Sequence, residues 1–357
     1  MEKPAAKTNS EKLHDVLSEL PEFTNNFFYF GSANRSVLTK LNYALDLKYF
    51  FEYAVNFFSY FPDKSVKELS LDDLKMITSL DIDNFVSWMA ENRHLKDKTL
   101  ARRRSSISVL FEYLINTERK LDYNPVSGST SIKIDLPESV TYLTIDEQNV
   151  LLDCIKNGTG LTKKQQIYHE KYKERDLAIV FLFLDTGLRI SELQALDVED
   201  VVIFENPYHP ENNECYVNAL RKGHKKGNNT SKVYFSDESK DYLREYLELR
   251  EMKGETFKEG TPLFVTLEGT RLSIREIQQM LKKYVKASLH RSDISVHKLR
   301  SSFAMEFYKH EKNILVLQQR MGHKSMAATN IYARASDKEE AVKGSRNWRS
   351  NNKTLKK

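Results

Sequence analysis

Two cysteines, Cys154 and Cys215, are all that the 357 residues contain. They are too few for a disulfide framework, which fits a chain working in a reducing compartment. No local group of Cys and His at metal-ligand spacing accompanies them, so no structural zinc is expected. No apolar run reaches the ~18 residues that a membrane-spanning helix needs. The opening stretch "MEKPAAKTNSEKLHD" lacks the apolar core of a secretion signal. A cytoplasmic protein with no membrane partner is therefore expected. No repeat of solenoid period is visible either.

What is present is an ordinary globular composition, 40% hydrophobic and 29% charged, at a length that suits two domains. The net charge of +5 is unevenly placed. Residues 1–135 carry 18 Lys and Arg against 19 Asp and Glu, and the remainder 37 against 31. Such an excess is compatible with nucleic-acid binding without being specific for it.

The first part of the chain reads as helical. "SVLTKLNYALDLKYFFEYAVNFFSYF" from Ser36 repeats apolar residues at helical spacing. "DIDNFVSWMAENR" and "DKTLARRRSSISVLFEYLINTER" follow, the latter with Leu100, Ile107, Leu110, Phe111, Leu114 and Ile115 on one stripe. The aromatic "LPEFTNNFFYF" before them reads as a short helix, and "DYNPV" closes the run because a residue before proline disfavours helix. A linker rich in Gly, Ser and Pro spans 127–143.

Beyond it, Thr144 and Glu147 form a capping-box pattern, as do Ser273 and Glu276. The polar stretch from Gly158 to Glu174 reads as an insertion or long loop, and "RDLAIVFLFLDTG" as a buried helix. "LDVEDVVIF", "ECYVNAL" and "KVYFS" are β-prone, the last two separated by a turn-like "RKGHKKGNNTS". The fold class expected is mainly α with a small β-sheet. From Val296 the chain reads helical through Ala335 and ends in a basic tail over 344–357. Within that segment, "MGHKSMAATNIYAR" carries a helix stop at Gly322, an N-cap at Ser325 and a tyrosine nine residues after His323.

Singly, the polar residues of the second part are unremarkable. Arg189 and Glu192 of "TGLRISEL" are three apart, a spacing that also suits a structural ion pair. His297 and Arg300 of "VHKLRSSFA" stand likewise, His323 suits a core histidine, and Tyr332 is one of 18 tyrosines. Together they match one chemistry. A phosphodiester under attack gathers negative charge on its non-bridging oxygens, and planar bidentate guanidiniums suit those oxygens. Tyrosine is a nucleophile if proton transfer is assisted. A lysine on a turn can protonate the leaving sugar oxygen, and histidines can hold phosphate or move protons near neutrality. None of this requires a metal or another cofactor.

This constellation resembles the tyrosine recombinase (phage integrase) family, of the Xer and integrase type, over most of the chain. "TGLRISEL" matches the family's first signature at Arg189, "HKLRSSFA" its second at His297 and Arg300, and "MGH" with Tyr332 its third. The family's catalytic lysine sits in a hairpin turn, usually before glycine. Lys222 fits that place, with Lys225 and Lys226 as rivals that otherwise serve as DNA contacts. Ser301 and Met321 depart from the common histidine and leucine without removing a group the mechanism needs.

The resemblance implies a two-domain, C-shaped DNA clamp. An all-helical core-binding domain would cover 1–126, and an α+β catalytic domain 144–343. It implies that Tyr332 attacks a DNA phosphate to give a 3′-phosphotyrosyl link and a free 5′-hydroxyl. Arg189, Arg300 and His323 would hold the non-bridging oxygens. Lys222 would protonate the leaving oxygen while His297 assists proton transfer. Double-stranded DNA, a homotetramer on two duplexes and accessory DNA-bending proteins are the partners implied. Arg102, Arg103 and Arg104 of "ARRRSS" are candidates for phosphate contact, against a plain reading as a solvated basic turn. A type IB topoisomerase and a non-catalytic DNA-binding regulator are the competing readings.

Overall fold

Short polar side chains set most of the helix starts. In the computed structural model, which describes residues 7–32, 35–134, 139–209, 213–221 and 230–351, the chain divides into two units, residues 1–135 and 136–357. The first holds five α-helices among its described residues: α1 (Asn9–Leu17), α2 (Val37–Phe57), α3 (Leu71–Met76), α4 (Ser79–Arg93) and α5 (Asp97–Asn116). Ser36, Ser70 and Thr78 cap α2, α3 and α4 by accepting from backbone amides of the first turn. α1, which hydrophobic period did not announce, begins on a Thr8–Glu11 capping box. The aromatic stretch before α2 is a 3-10 turn at Glu22–Thr24 and a π-turn at Phe27–Gly31 rather than one short helix.

The core of this unit joins Leu41, Leu47, Phe50 and Phe51 of α2 to Phe85 of α4 and to the stripe of α5. Each such side chain stabilises the fold by about 1.5–3 kcal/mol when fully buried. Leu100, Ile107, Leu110, Phe111 and Leu114 are buried as their spacing predicts, while Ile115 is only partly so.

In the second unit α6 (Ile145–Asn157) and α7 (Lys163–Thr186) lead to α8 (Ile190–Gln194) and three strands, β1 (Val201–Phe204), β2 (Glu214–Leu220) and β3 (Thr230–Tyr234). Then come α9 (Asp237–Met252), α10 (Ile274–Ser288), α11 (Val296–Glu311), α12 (Ile314–Met321) and α13 (Ala327–Asn351). The capping boxes at Thr144 and Ser273 both form. The strands make one antiparallel sheet in the order β1-β2-β3, with buried Val217 between Val201 and Val233. β1 is shorter than its sequence run, because Val198–Asp200 turns as a 3-10 helix first.

One expectation is corrected. Most of the polar stretch 158–174 is not a loop but the exposed first half of α7. Thr162 and Gln165 cap it, and residues 163–174 contain no glycine or proline to break it. Lys173 and Glu170 pair across one turn at 3.0 Å. A helix half facing water shows no apolar period, so the stretch reads as loop. α13 likewise continues through Asn351, so part of the basic tail is helical. Among the described residues no helix is long and apolar enough to cross a membrane.

Candidate active site

Arg189 owes its position to the end of α7. Gly187 stops that helix with φ of 61°, in the left-handed region that glycine enters freely. A Cβ there would also meet Phe303 Cδ1 of α11 at 2.3 Å. Two residues on, Arg189 is the N-cap of α8, with extended backbone. The buried Glu192 holds it from both sides, accepting from its backbone N at 2.9 Å and from its Nη1 at 2.6 Å. Arg189 Nη2 donates to the carbonyl of Gly322 at 3.2 Å.

α11 supplies the second guanidinium. Arg300 is among the largest fully buried side chains, and donates to the carbonyls of Gly187 and Met321. Burial first, and then the neighbouring Arg189, push its pKa down to about 10, so it stays charged at neutral pH. His297 lies one turn earlier on the same helix with its side chain exposed.

The third element is the corner between α12 and α13. Gly322, with φ of 58°, is the C-cap of α12, and its amide closes back on Gln318 and Gln319. Ser325 Oγ accepts from Ala327 N at the start of α13. His323 lies between, its Nδ1 2.9 Å from Oγ1 of the buried Thr329. Burial, then Arg300, Arg189, Arg221 and His297, push the His323 pKa down to about 4, so its ring is neutral at pH 7. Tyr332 is 3% exposed, in a small core with Phe303, Met305, Leu317 and Met321 from α11 and α12. Its ring is near enough to act electrostatically on Arg300.

Three loci distant in sequence thus meet at one corner: Arg189, His297 with Arg300, and His323 with Tyr332. Positive charge is concentrated there, and Glu192 is the carboxylate set against it. Among the described residues no group of three His, Cys, Asp or Glu side chains stands together to hold a metal. Lys222, Lys225 and Lys226 lie outside the described residues.

Two residues enter the site that sequence reasoning passed over. Thr329 orients His323, and Arg221, just past β2, pairs with Glu192 at 3.2 Å. The only signal for Arg221 in the sequence is its place at the head of "RKGHKK", a run that reads as a hairpin turn for its lysines.

The basic cluster of the first unit is held by partners of its own. Arg102 bonds to buried Asp46 and keeps its side chain 46% exposed. Arg103 stacks 4.3 Å over Tyr49 and is largely covered. Arg104 donates to Ser129 Oγ at 3.0 Å and to the carbonyls of Val126 and Ser129 at 2.6 and 3.0 Å. Arg103 and Arg104 thus have structural partners within the helical unit.

Comparison with known proteins bears on the whole arrangement. The model of the phage integrase family matches residues 142–339, more than half of the chain. Tyrosine recombinase XerC of Caldanaerobacter subterraneus subsp. tengcongensis is 28% identical, over 90% of this chain and 85% of that protein. Tyrosine recombinase XerS of Lactococcus lactis subsp. cremoris is 26% identical, over 85% of this chain and 91% of its own length. Among solved structures, the XerH site-specific recombinase bound to palindromic difH substrate, a post-cleavage complex, superposes with a TM-score of 0.66 at 19% identity. That match covers 96% of this chain and 91% of that one. A lambda integrase dimer bound to a COC′ core site gives 0.57 at 17% identity, over 94% and 83%. At such identities the structural likeness speaks to the fold.

Proposed function

Because this chain belongs to the phage integrase family, we propose that it is a site-specific DNA recombinase that cuts and rejoins strands through a 3′-phosphotyrosyl intermediate. The observation that carries this reading is the convergence of Arg189, Arg300, His323 and Tyr332 on the α12–α13 corner. Two fixed guanidiniums stand ready for charge that develops on non-bridging oxygens, with no reorganisation needed at the moment of reaction.

In this reading Tyr332 Oη forms a bond to phosphorus while the bond to the 5′ oxygen breaks. The phenolic proton leaves with help from His297, and Lys222 delivers one to the departing 5′ oxygen, which leaves as a hydroxyl. Neutral His323, oriented by Thr329, gives a ring N–H to a phosphate oxygen. The 5′-hydroxyl of another strand then reverses the step and completes exchange. Because the phosphoester energy is kept in the covalent link, the reaction needs no nucleotide cofactor. Four protomers on two duplexes in the cytoplasm, with or without accessory DNA-bending proteins, make up the working assembly. Lys225, Lys226, Arg102, Arg103 and Arg104 are assigned to phosphate contacts, Arg102 being the most exposed of the three arginines.

The test is covalent capture. The protein is mixed, in excess EDTA, with a library of nicked duplexes carrying randomised arms, then denatured. The nick lets the short fragment bearing the 5′-hydroxyl diffuse away, so DNA joined to protein by its 3′ end should accumulate. No covalent DNA, or covalent DNA that appears only after a divalent ion is restored, contradicts the proposal. Captured arms define a substrate. Paired duplexes of that sequence should exchange strands, and relaxation of supercoils without exchange would identify a topoisomerase instead.

A further inference from the structure

We propose that Arg221, which the mechanism above does not use, is a positioning residue for strand cleavage, acting on Arg189 through Glu192 and on His323 through the Arg320–Gly322 turn. The inference rests on the recombinase reading and adds a residue to it.

The argument begins with the end of α12. A helix C-terminus presents carbonyls with no intrahelical partner, at the negative end of the helix dipole. Here three successive carbonyls each receive a different arginine. Arg221 Nη2 donates to Arg320 O at 2.9 Å, Arg300 Nη2 to Met321 O, and Arg189 Nη2 to Gly322 O at 3.2 Å. The donors come from the end of β2, from α11 and from the cap of α8. The turn bearing His323 is therefore tied to three separate elements, and Arg221 is the tie from the sheet.

Glu192 makes the second link. One oxygen takes Arg189 Nη1 at 2.6 Å, and the other takes Arg189 N at 2.9 Å and Arg221 Nη1 at 3.2 Å. Without Arg221 the carboxylate loses its second guanidinium and can shift onto Arg189, which would tighten its hold on a guanidinium needed for phosphate. The Arg221 side chain is 11% exposed and lies flat against Gly322, where a Cβ would come within 2.9 Å of its Cζ. Its Nε is buried without a hydrogen-bond partner among the described residues. Arg221 is also near enough to lower the basicity of Arg300 and His323, which places its charge within reach of both. Lysine cannot reproduce this, because one ammonium cannot bridge Glu192 and Arg320 O while lying flat on glycine.

The experiment uses full-length protein and a nicked duplex captured as described above. It measures single-turnover adduct formation at saturating protein, DNA Kd at fixed salt, and thermal stability. Arg221→Met should slow adduct formation about 30- to 100-fold, at or below the 10²–10³-fold loss of a direct transition-state donor, because Arg221 acts through other residues. DNA Kd should change by less than about threefold, since most affinity comes from other phosphate contacts. Arg221→Lys should recover part of the rate and remain at least about fivefold slower than wild type, as expected when a bidentate contact becomes a single one. If the methionine variant is thermally unstable, the lysine variant carries the test. Replacing the bridging 5′ oxygen by sulfur should not rescue either variant, because leaving-group protonation is not what they lack. Wild-type rates in both variants, a defect confined to Kd, or rescue by sulfur would each overturn the assignment. If wild-type protein itself forms no adduct, the recombinase reading falls and this one with it. A normal wild type beside unaffected variants removes Arg221 alone.

Discussion

Arg189 and Arg300 donate to the carbonyls of adjacent residues, Gly322 and Met321. Two guanidiniums that are 111 positions apart in sequence are thereby fixed by one turn, and the same turn carries His323. Their mutual repulsion is balanced by Glu192 and by the carbonyl end of α12. An anionic phosphate is the ligand such a surplus of fixed positive charge attracts.

Replacing either arginine by lysine should keep the charge and lose the fork. Arg189→Lys and Arg300→Lys should each slow adduct formation by about 10²–10³-fold, the usual loss for one transition-state donor. Single-turnover cleavage at saturating DNA measures this. A rate within a few-fold of wild type for either variant would show that its guanidinium does not face the phosphate.

Thr329→Val removes one hydroxyl from a wholly buried site and leaves His323 Nδ1 without its partner at 2.9 Å. The ring should then sample other orientations, and cleavage should fall about fivefold, the equivalent of one hydrogen bond of ~1 kcal/mol. Circular dichroism should be unchanged. Undiminished cleavage would mean that His323 is oriented by something other than Thr329.

The depressed basicity of His323 has a consequence for stability. Burial beside Arg300 and Arg189 holds it to about 4 in the folded chain, against an ordinary value of 6.5 for a free histidine. Between those values the unfolded chain binds a proton that the folded one does not, so folding weakens as pH falls through that window. The contribution is fully present above about pH 6.5, by the same linkage. Urea midpoints measured at several pH values should therefore fall more steeply toward pH 4 in wild type than in His323→Asn. Parallel curves would place His323 in a more solvated setting than the structure does.

Gly322→Ala combines two penalties. The residue must hold φ of 58°, and its new methyl would come within 2.9 Å of Arg221. A left-handed conformation alone costs a non-glycine residue about 1–2 kcal/mol. Both melting temperature and cleavage rate should drop, cleavage by more than stability accounts for, because the turn carries His323. A variant that melts lower yet cleaves normally would show that the turn tolerates displacement.

Much of this site was legible because the relevant spacings are local. "TGLR" and "HKLR" each lie on a single turn or helix, the His323–Tyr332 interval spans one corner and the first turns of α13, and Gly187 and Gly322 mark their helix stops by residue type alone. The β2–β3 pairing also followed from two β-prone runs around a turn-like segment. What could not be read depends on tertiary partners. Arg221 is identified by a carboxylate 29 residues away and a carbonyl 99 residues away. The first half of α7 shows no apolar period because water covers most of it, and only its Thr162–Gln165 cap betrays a helix. Arg103 and Arg104 look like free basic side chains until Tyr49 and Ser129 are seen beside them.

The central claim is that one tyrosine, of the 18 in the chain, becomes joined to DNA. Protease digestion of the captured adduct, followed by mass spectrometry of the nucleotide-bearing peptide, tests it most directly. The expected result is a single modified peptide in which Tyr332 carries the 3′-phosphate. Tyr332→Phe deletes one oxygen and leaves the ring to pack against Met321 and Phe303, so it should fold, bind the same duplex with the same salt dependence, and give no adduct. A phosphate on any other residue, or an undiminished adduct in Tyr332→Phe, would contradict the account.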